Sequence, residues 1–234
     1  MFRNTGKPIG WGSIVLAGLF AAASAIQAQD GKSPYPTMAP IAQYRMERNA
    51  EIAMARTAAP QTISRDATIM VLGQKNFQVA VHGSNGFVCV VGRAFAGPLS
   101  NPEFWNPKNR SPICYNPPAV RSLMPYAIKE AGMALAGASK SQIADAIRTA
   151  VAKNELGLPE SGSMAYMMSK EAYLTDRGGH NLAHVMFELP RDGVLQDDPN
   201  SFVSWDPAPV IEFNVPVGQW SDGSAVTASH TAHR

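Results

Sequence analysis

The chain has 234 residues, with 20 lysines and arginines against 18 aspartates and glutamates, and its formal net charge is +2. This near-neutral balance excludes nucleic acid as the main partner, because nucleic-acid-binding domains rely on a strong positive potential. The length is enough for one domain with a sizeable core. The 19 glycines and 18 prolines predict a fold in which loops are extensive.

The first 28 residues are typical of a secretory signal peptide. Arg3 and Lys7 precede a strongly apolar run at residues 14–23, and small residues follow it. The alternative is a membrane anchor, but a spanning helix requires about 20 predominantly apolar residues and this run has ten. We therefore expect cleavage after Ala25 or Ala28, a periplasmic or secreted mature protein, and no transmembrane anchor once the signal is removed.

Composition divides the mature chain into three parts. Residues 29–39 are polar and contain proline, which predicts a flexible lead-in, and residues 40–220 carry the patterns of a single domain. Residues 221–234 are mostly serine, alanine, threonine and histidine, which predicts a disordered tail. Within the domain, residues 41–58 have apolar side chains at helical spacing, and Pro60 is expected to end that helix.

Three short strands are predicted next, at residues 67–72, 77–82 and 87–91. The dipeptide Asn85-Gly86 lies between the second strand and the third. It is typical of a tight hairpin turn in which both residues have positive φ. We therefore expect these strands to form a three-stranded meander.

The two cysteines of the chain, Cys89 and Cys114, are expected to form a disulfide, because an exported protein matures under oxidising conditions. The alternative is a catalytic thiol, which the presence of a second cysteine disfavours. The bond would tie the third predicted strand to residues 92–116, which show no periodic pattern. We interpret that segment as a long irregular loop, and such loops are often functional.

The middle of the domain predicts a helical hairpin. Asn116 is a suitable N-cap with prolines in the first turn after it, Pro125 is expected to kink the first helix, and Gly137 is expected to end it. Ser139 and Gln142 have the spacing of a capping box for the second helix.

Three further strands are predicted at residues 163–168, 183–189 and 209–216. The order of elements predicts an α+β fold. We expect a mainly antiparallel sheet built from two sets of about three strands, with the N-terminal helix and the central helical hairpin packed on it.

His180 and His184 are the candidate metal ligands. Two histidines four residues apart share one face of a helix and can hold one divalent ion, but in a strand they would lie roughly 13 Å apart. The site therefore requires His180 to fold back, with Asp176 as the third ligand or Glu171 or His82 in its place. The alternative interpretation is that both histidines are simply hydrogen-bonded at the end of a strand.

Trp105, Trp205 and Trp220 each stand beside polar turn residues. Exposed rings in that setting could stack on sugars or clamp a peptide, which makes the three tryptophans candidate ligand-binding residues. The alternative is that the rings plug loops onto the core, since aromatic side chains bury a large area. The sequence contains no complete motif of a serine hydrolase, a P-loop or a dinucleotide-binding site.

Four segments of the chain together resemble a group of secreted bacterial proteins that have no assigned activity. They are DATIMVLGQKNFQVAVHGSNGFVCVV, PEFWNPKNRSPICYNPPAV, SGSMAYMMSKEAYL and VPVGQWSDG. The resemblance spans about residues 45–223. It implies export from a bacterial cell and one compact domain, and it implies no reaction and no catalytic residue.

The sequence therefore predicts an exported domain that binds an envelope component, another partner or a small ligand. The alternative is a metal-dependent envelope hydrolase that uses His180 and His184, with a divalent metal as its cofactor. A hydrolase requires a cleft with convergent polar groups and a metal or a nucleophile. A binding domain requires only a rim of aromatic residues and no perturbed cluster of ionisable groups.

Overall fold

The computed structural model describes residue 1 and residues 34–176, 182–191 and 203–227. The fold is α+β, as predicted, with one eight-stranded sheet and helices packed on it. The strands are β1 (Thr68–Leu72), β2 (Phe77–Val81), β3 (Val88–Gly92), β4 (Ser111–Tyr115), β5 (Met164–Met167), β6 (His184–Pro190), β7 (Val203–Ser204) and β8 (Val210–Pro216). The helices are α1 (Arg48–Arg56), α2 (Gln61–Ser64), α3 (Pro117–Ser122), α4 (Met124–Leu135) and α5 (Lys140–Ala152).

The strand order is β2-β1-β3-β4-β5-β6-β8-β7, so the two predicted sets of strands belong to one sheet. Strands β1 and β3 are parallel, and the other neighbouring pairs are antiparallel. The predicted meander is therefore wrong, because β3 pairs with β1 rather than with β2.

The turn at Asn85-Gly86 explains this difference. Gly86 has a φ of +78°, but Asn85 is not among the described residues with positive φ. The Asn85 side chain is tied instead to its surroundings: its Oδ1 accepts from the Phe87 amide at 3.0 Å, and its Nδ2 donates to the Ile63 carbonyl at 2.8 Å. These bonds direct the chain past the end of β1 rather than back along β2.

Strand β4 and a 3₁₀ turn at Ala94–Ala96 lie within the segment that was predicted to be an irregular loop. Strand β4 pairs with β3 in a register that sets Cys114 directly opposite Cys89, and the two residues form the predicted disulfide. The sequence of β4 contains Pro112 and has no clear alternation, which is why its periodicity did not indicate a strand.

The predicted N-terminal helix is divided. A 3₁₀ turn at Ile41–Gln43 comes first, and α1 begins only at Arg48, because the Glu47 carboxylate accepts from the Ala50 amide at 2.8 Å as an N-cap. Between the two helical pieces Tyr44 is buried.

The central helices follow the prediction closely. The Asn116 side chain caps α3, and the capping box of Ser139 and Gln142 begins α5. The break between α3 and α4 falls at Leu123 rather than at Pro125. Pro125 lies in the first turn of α4, where its missing N–H has no helical partner to lose.

The helices cover both faces of the sheet. The larger apolar cluster contains Tyr126 of α4 and Ile143 of α5 packed with residues of β3 to β6. The smaller cluster lies on the opposite face, where Ala55 of α1 packs against Ile69 of β1 and the disulfide.

Hydrogen bonds occur in the described parts of both predicted terminal segments. Within the lead-in, the Ala39 amide donates to the Tyr44 hydroxyl at 3.1 Å. Within the predicted tail, the Val226 amide donates to the Gly218 carbonyl at 3.0 Å. The remaining tail residues, 228–234, lie outside the described residues. Within the described part of the chain, no helix has the length and apolar character needed to cross a membrane.

Candidate functional site

A cavity of about 190 Å³ lies between one face of the sheet and the segment that follows β3. Strands β4, β5, β6 and β8 supply one wall, and residues of the 3₁₀ turn supply another. A larger depression of about 570 Å³ lies elsewhere, beside Arg56, Arg65 and Asp222. The smaller cavity is the candidate site, because buried ionisable side chains line it.

The strand pattern places two glutamates in this cavity. Along β6, Met186 and Glu188 are buried whereas Phe187 and Leu189 are exposed, so Glu188 is on the inward face. Glu212 of β8 is the direct cross-strand partner of Glu188. Directly opposite residues have Cβ atoms about 4.5–5.5 Å apart, and like charges in that arrangement destabilise a sheet.

The two carboxyl groups have few hydrogen-bond donors. The Trp205 indole Nε1 donates to Glu212 Oε2 at 3.1 Å. Glu188 Oε2 is buried and has no hydrogen-bond partner among the described residues. Within that part of the chain neither glutamate forms an ion pair with a basic side chain.

Burial, and next the charge of Glu212, raise the pKa of Glu188 to about 8. Burial also raises the pKa of Glu212, although hydrogen bonds from Trp205 and Asn214 act in the opposite direction. A carboxyl group with a pKa near 8 carries a proton at neutral pH. The pair can therefore donate a hydrogen bond as well as accept one.

Tyr115 of β4 also lines the cavity. Burial raises the pKa of its hydroxyl, and the charges of Glu188, Glu212 and Glu130 raise it further. Glu130 is on α4, outside the cavity lining, and burial raises its pKa to about 8. This end of the sheet therefore holds three buried acids around one tyrosine.

The basic residue in the cavity wall, Arg93, is bound elsewhere. Its guanidinium donates to Glu51 Oε1 at 2.9 Å, to the Tyr44 carbonyl at 2.7 Å and to the Val91 carbonyl. Burial lowers the pKa of Arg93 to about 10, against the attraction of Glu51, and the group remains charged at neutral pH. The charge of Arg93 is thus compensated by Glu51, and the two cavity glutamates have no matching cation among the residues that the structure describes.

The structure separates some of the predicted metal ligands. His184 begins β6, and its Nδ1 lies 2.7 Å from the Leu182 carbonyl oxygen; burial lowers the pKa of its imidazole. His82 follows β2, five strands from β6, a distance on the order of 20 Å. His82 therefore cannot share an ion with His184. His180 lies outside the described residues, so its convergence with His184 stays a prediction.

Asp176 has partners of its own. Its carboxylate accepts from the hydroxyls of Tyr35 and Tyr173 and from Lys108 Nζ, at 3.2 Å. The Tyr173 hydrogen bond is the main reason that the pKa of Asp176 lies below its usual range. Among the described residues, no group of three histidines, cysteines or acids is positioned to hold a metal ion.

All three predicted ligand-binding tryptophans are buried, so the exposed rings expected from the sequence are not what the structure has. Trp220 packs against Met168 and Ala183, which agrees with the alternative interpretation. Trp105 is part of the main core and borders a surface depression beside Lys140. Trp205 is the one that reaches the cavity glutamates.

Sequence analysis did not select Glu188 or Glu212. A signal was present in both strands: each glutamate is in phase with a buried apolar residue two positions earlier, Met186 in β6 and Val210 in β8. An acid in the buried phase of a strand requires a compensating partner or a function.

Comparison with known proteins gives this cavity no precedent. No family model matches the chain, no curated protein matches it, and no solved structure matches it. A functional assignment therefore depends on the geometry of the cavity itself.

Proposed function

We propose that this chain is an exported binding protein whose small ligand occupies the cavity lined by Glu188 and Glu212. The observation that carries the proposal is the Glu188 carboxyl group, which is 2% exposed, lines the cavity and has an unpartnered oxygen among the described residues. A buried polar group without a partner lowers stability by about 1–3 kcal/mol. A ligand that supplies the missing hydrogen-bond partner would explain why the protein contains this unpartnered carboxyl group.

The size of the cavity restricts the ligand. An engineered cavity of about 150 Å³ in another protein admits benzene, so a cavity of about 190 Å³ suits a molecule of roughly six to ten non-hydrogen atoms. A polymer of the cell envelope does not fit inside it. Among the binding partners expected from the sequence, the geometry supports a small ligand.

The perturbed carboxyl pair also permits proton transfer, so catalysis is the competing interpretation. The hydrolase expected from the sequence would require in addition a metal ion held by His180 and His184. Ser111 also lines the cavity, but its hydroxyl, which could act as a nucleophile, donates to Asn109 Oδ1 at 3.0 Å. The described residues thus favour binding over the hydrolase that uses His180 and His184.

The proposed location outside the cytoplasm is supported by the disulfide, because such bonds persist in oxidising compartments. If the first 28 residues are a signal peptide, the mature protein begins at Ile26 or Gln29. N-terminal sequencing of protein recovered from the envelope fraction tests this directly. Recovery of a chain that retains Met1 would contradict export.

The binding function is tested with a panel of fragments of up to about ten non-hydrogen atoms, screened by ligand-observed NMR. We expect at least one fragment to bind the wild type and to lose binding in Ala96→Met, which fills the cavity from the 3₁₀ turn. Ala94→Met fills it from the same turn and replaces that variant if it does not fold. Ala152→Met, exposed at the end of α5, is the control and should bind like the wild type. Absence of binding to the wild type, or equal binding by the filled variants, would overturn the proposal.

A further inference from the structure

We infer that the cavity recognises a small organic cation, an amine whose charged nitrogen lies between the Glu188 and Glu212 carboxylates. This inference rests on the proposed function, because it names the class of ligand for the same cavity. It adds one requirement to the proposed function, namely that the ligand is positively charged.

Charge compensation is the first argument. The cavity wall contains two carboxyl groups on one face of adjacent strands, and the wall's arginine is already paired with Glu51. An anion would meet two acids and, within the described part of the chain, no free cation. An ammonium group would let both acids ionise and would form charge-assisted hydrogen bonds with them, which are about twice as strong as neutral ones.

The second argument is the unpartnered oxygen. Glu188 Oε2 lacks a donor among the described residues, whereas Glu212 Oε2 already accepts from Trp205. An ammonium group carries only donors, so it supplies what Glu188 lacks. A ligand that can only accept hydrogen bonds would use the proton of Glu188 but would leave Glu212 uncompensated.

The apolar walls fit the rest of such a ligand. Trp205, Met167 and Met186 line the cavity around the two acids. An indole attracts a nearby cation through its π-face, and thioether side chains adapt to an alkyl or aryl body. A metal ion fits less well, because it would bind the two carboxyl groups and leave the apolar walls of the cavity without a partner.

Binding of the cation displaces a proton, so one positive charge replaces another in the cavity. The ammonium group enters with its positive charge, and a proton held by the glutamate pair leaves to solvent. The groups that face Glu188 from the surrounding elements are Glu212 of β8, Tyr115 of β4 and Arg93 after β3. Glu130 of α4 lies outside the cavity lining, and its charge acts on the pKa of Tyr115. Arg93 remains charged and Tyr115 neutral over the tested range, so the exchanged proton belongs to Glu188 and Glu212.

Benzylamine, benzyl alcohol and benzoate are the probes, because they have nearly the same size and differ in charge. Isothermal titration calorimetry at about pH 7 is expected to give binding of benzylamine, binding of benzyl alcohol that is weaker by about tenfold or more, and no binding of benzoate. Butylamine and butanol repeat the comparison without the ring. If the alcohols bind as well as the amines, the cation inference fails while the small-ligand function stands.

Two glutamate variants separate recognition from burial. Glu188→Gln keeps the size of the side chain and removes its ability to ionise when the cation binds, and it should lower benzylamine affinity by about tenfold or more. Glu130→Gln is the matched control: Glu130 is equally buried, has an unpartnered Oε2 and a pKa near 8, but lies outside the cavity lining. Glu130→Gln should bind benzylamine within about twofold of the wild type. Equal losses in both variants would contradict the inference.

Proton release gives a readout that a merely structural role would not produce. Titrations at about pH 6 in buffers of different ionisation enthalpy should show release of close to one proton per benzylamine bound. The affinity should rise by up to about tenfold per pH unit between pH 5 and 7. If wild-type protein binds fragments of the general panel but no amine, this inference is overturned and the proposed function survives; if it binds none of them, both fall.

Discussion

The two halves of the sheet differ in whether their buried ionisable groups are paired with an opposite charge. In the half formed by β1 to β4, the buried Arg93 and Glu51 neutralise each other, and a disulfide joins the two strands β3 and β4. In the half formed by β5 to β8, Glu188 and Glu212 are also buried but have no cation beside them within the described residues. The first half uses its polar groups for stability, and the second retains a pair that lowers stability.

Another buried acid, Glu103, shows that burial alone does not explain the difference. Glu103 is 2% exposed, as is Glu188. Its carboxylate accepts from Thr175 Oγ1 at 2.7 Å, from Asn106 Nδ2 at 2.8 Å and from the Asp176 amide at 3.1 Å. Burial acts to raise the pKa of Glu103, but these hydrogen bonds outweigh it and lower the pKa. The supply of donors therefore distinguishes Glu103 from the cavity pair.

The largest effect is expected from breaking the ion pair of the first half. Arg93→Met leaves Glu51 buried without its cation and leaves two carbonyls without a donor, so it should lower the free energy of unfolding by about 5 kcal/mol. Urea denaturation measures the change. Arg121→Met, which breaks the exposed pair with Glu160, is the control and should cost at most about 1 kcal/mol. Similar losses in both variants would remove the contrast between the halves.

The second prediction concerns the pH dependence of stability. The pKa of Glu188 rises from 4.5 to about 8 on folding, so the folded state holds a proton that the unfolded chain releases. Stability is therefore greatest below about pH 4.5 for this group and decreases through pH 8, by on the order of 5 kcal/mol.

Glu188→Gln should remove this part of the slope, so that the variant loses less stability than the wild type between pH 5 and 8. Burial raises the pKa values of Glu130 and Glu212 as well, so the variant keeps a smaller slope of the same sign. Urea midpoints at several pH values give the comparison. Parallel curves for the two proteins would mean that Glu188 titrates normally.

The third prediction concerns the covalent link in the first half. The disulfide closes a loop with a sequence separation of 25, and its loss in the Cys89→Ala, Cys114→Ala double variant should lower stability by about 3.5 kcal/mol on the chain-entropy account. Denatured, unreduced wild type should show no reaction with an alkylating agent. Alkylation of both cysteines would show that the link is absent from the isolated protein.

The smallest effect is expected at the turn before β3. Gly86 has a φ of +78°, and a Cβ there would lie 3.1 Å from Pro117 Cγ, so Gly86→Val should lower the free energy of unfolding by more than about 1 kcal/mol. Gly162→Val is a matched control, because Gly162 has a φ of +80° but open space around its Cβ position. Gly162→Val should lower the free energy of unfolding by less than Gly86→Val does. A larger loss at Gly162 would indicate that Pro117 moves aside without cost.

Local signals in the sequence predicted most of the helices and strands. The cap at Asn116 and the capping box at Ser139 and Gln142 are contacts between residues a few positions apart, and they were predicted correctly. The pairing of β1 with β3 could not be predicted in this way, because it depends on bonds from Asn85 to Ile63, 22 residues earlier. Strand β4 was missed because its partner strand and the disulfide, rather than its own alternation, define it.

The cavity was harder to predict than the fold. Histidine and tryptophan are common at functional sites and therefore stand out in a sequence, whereas the acids of β6 and β8 resemble ordinary strand residues. Glu188 and Glu212 are 24 positions apart in the sequence, and only the register of β6 with β8 sets them opposite each other. The number of hydrogen-bond donors near these two carboxyl groups depends on every neighbouring element. No local pattern in the sequence predicts it.

The hydrogen bond from Trp205 to Glu212 provides an optical consequence. Indole emission responds to the charge and polarity around the ring, and this indole lies against an acid that changes its protonation and lines the cavity. Trp105 and Trp220 do not line the cavity, so their emission should form a constant background. The protein thus contains its own fluorophore at the candidate site, which would report occupancy without a label.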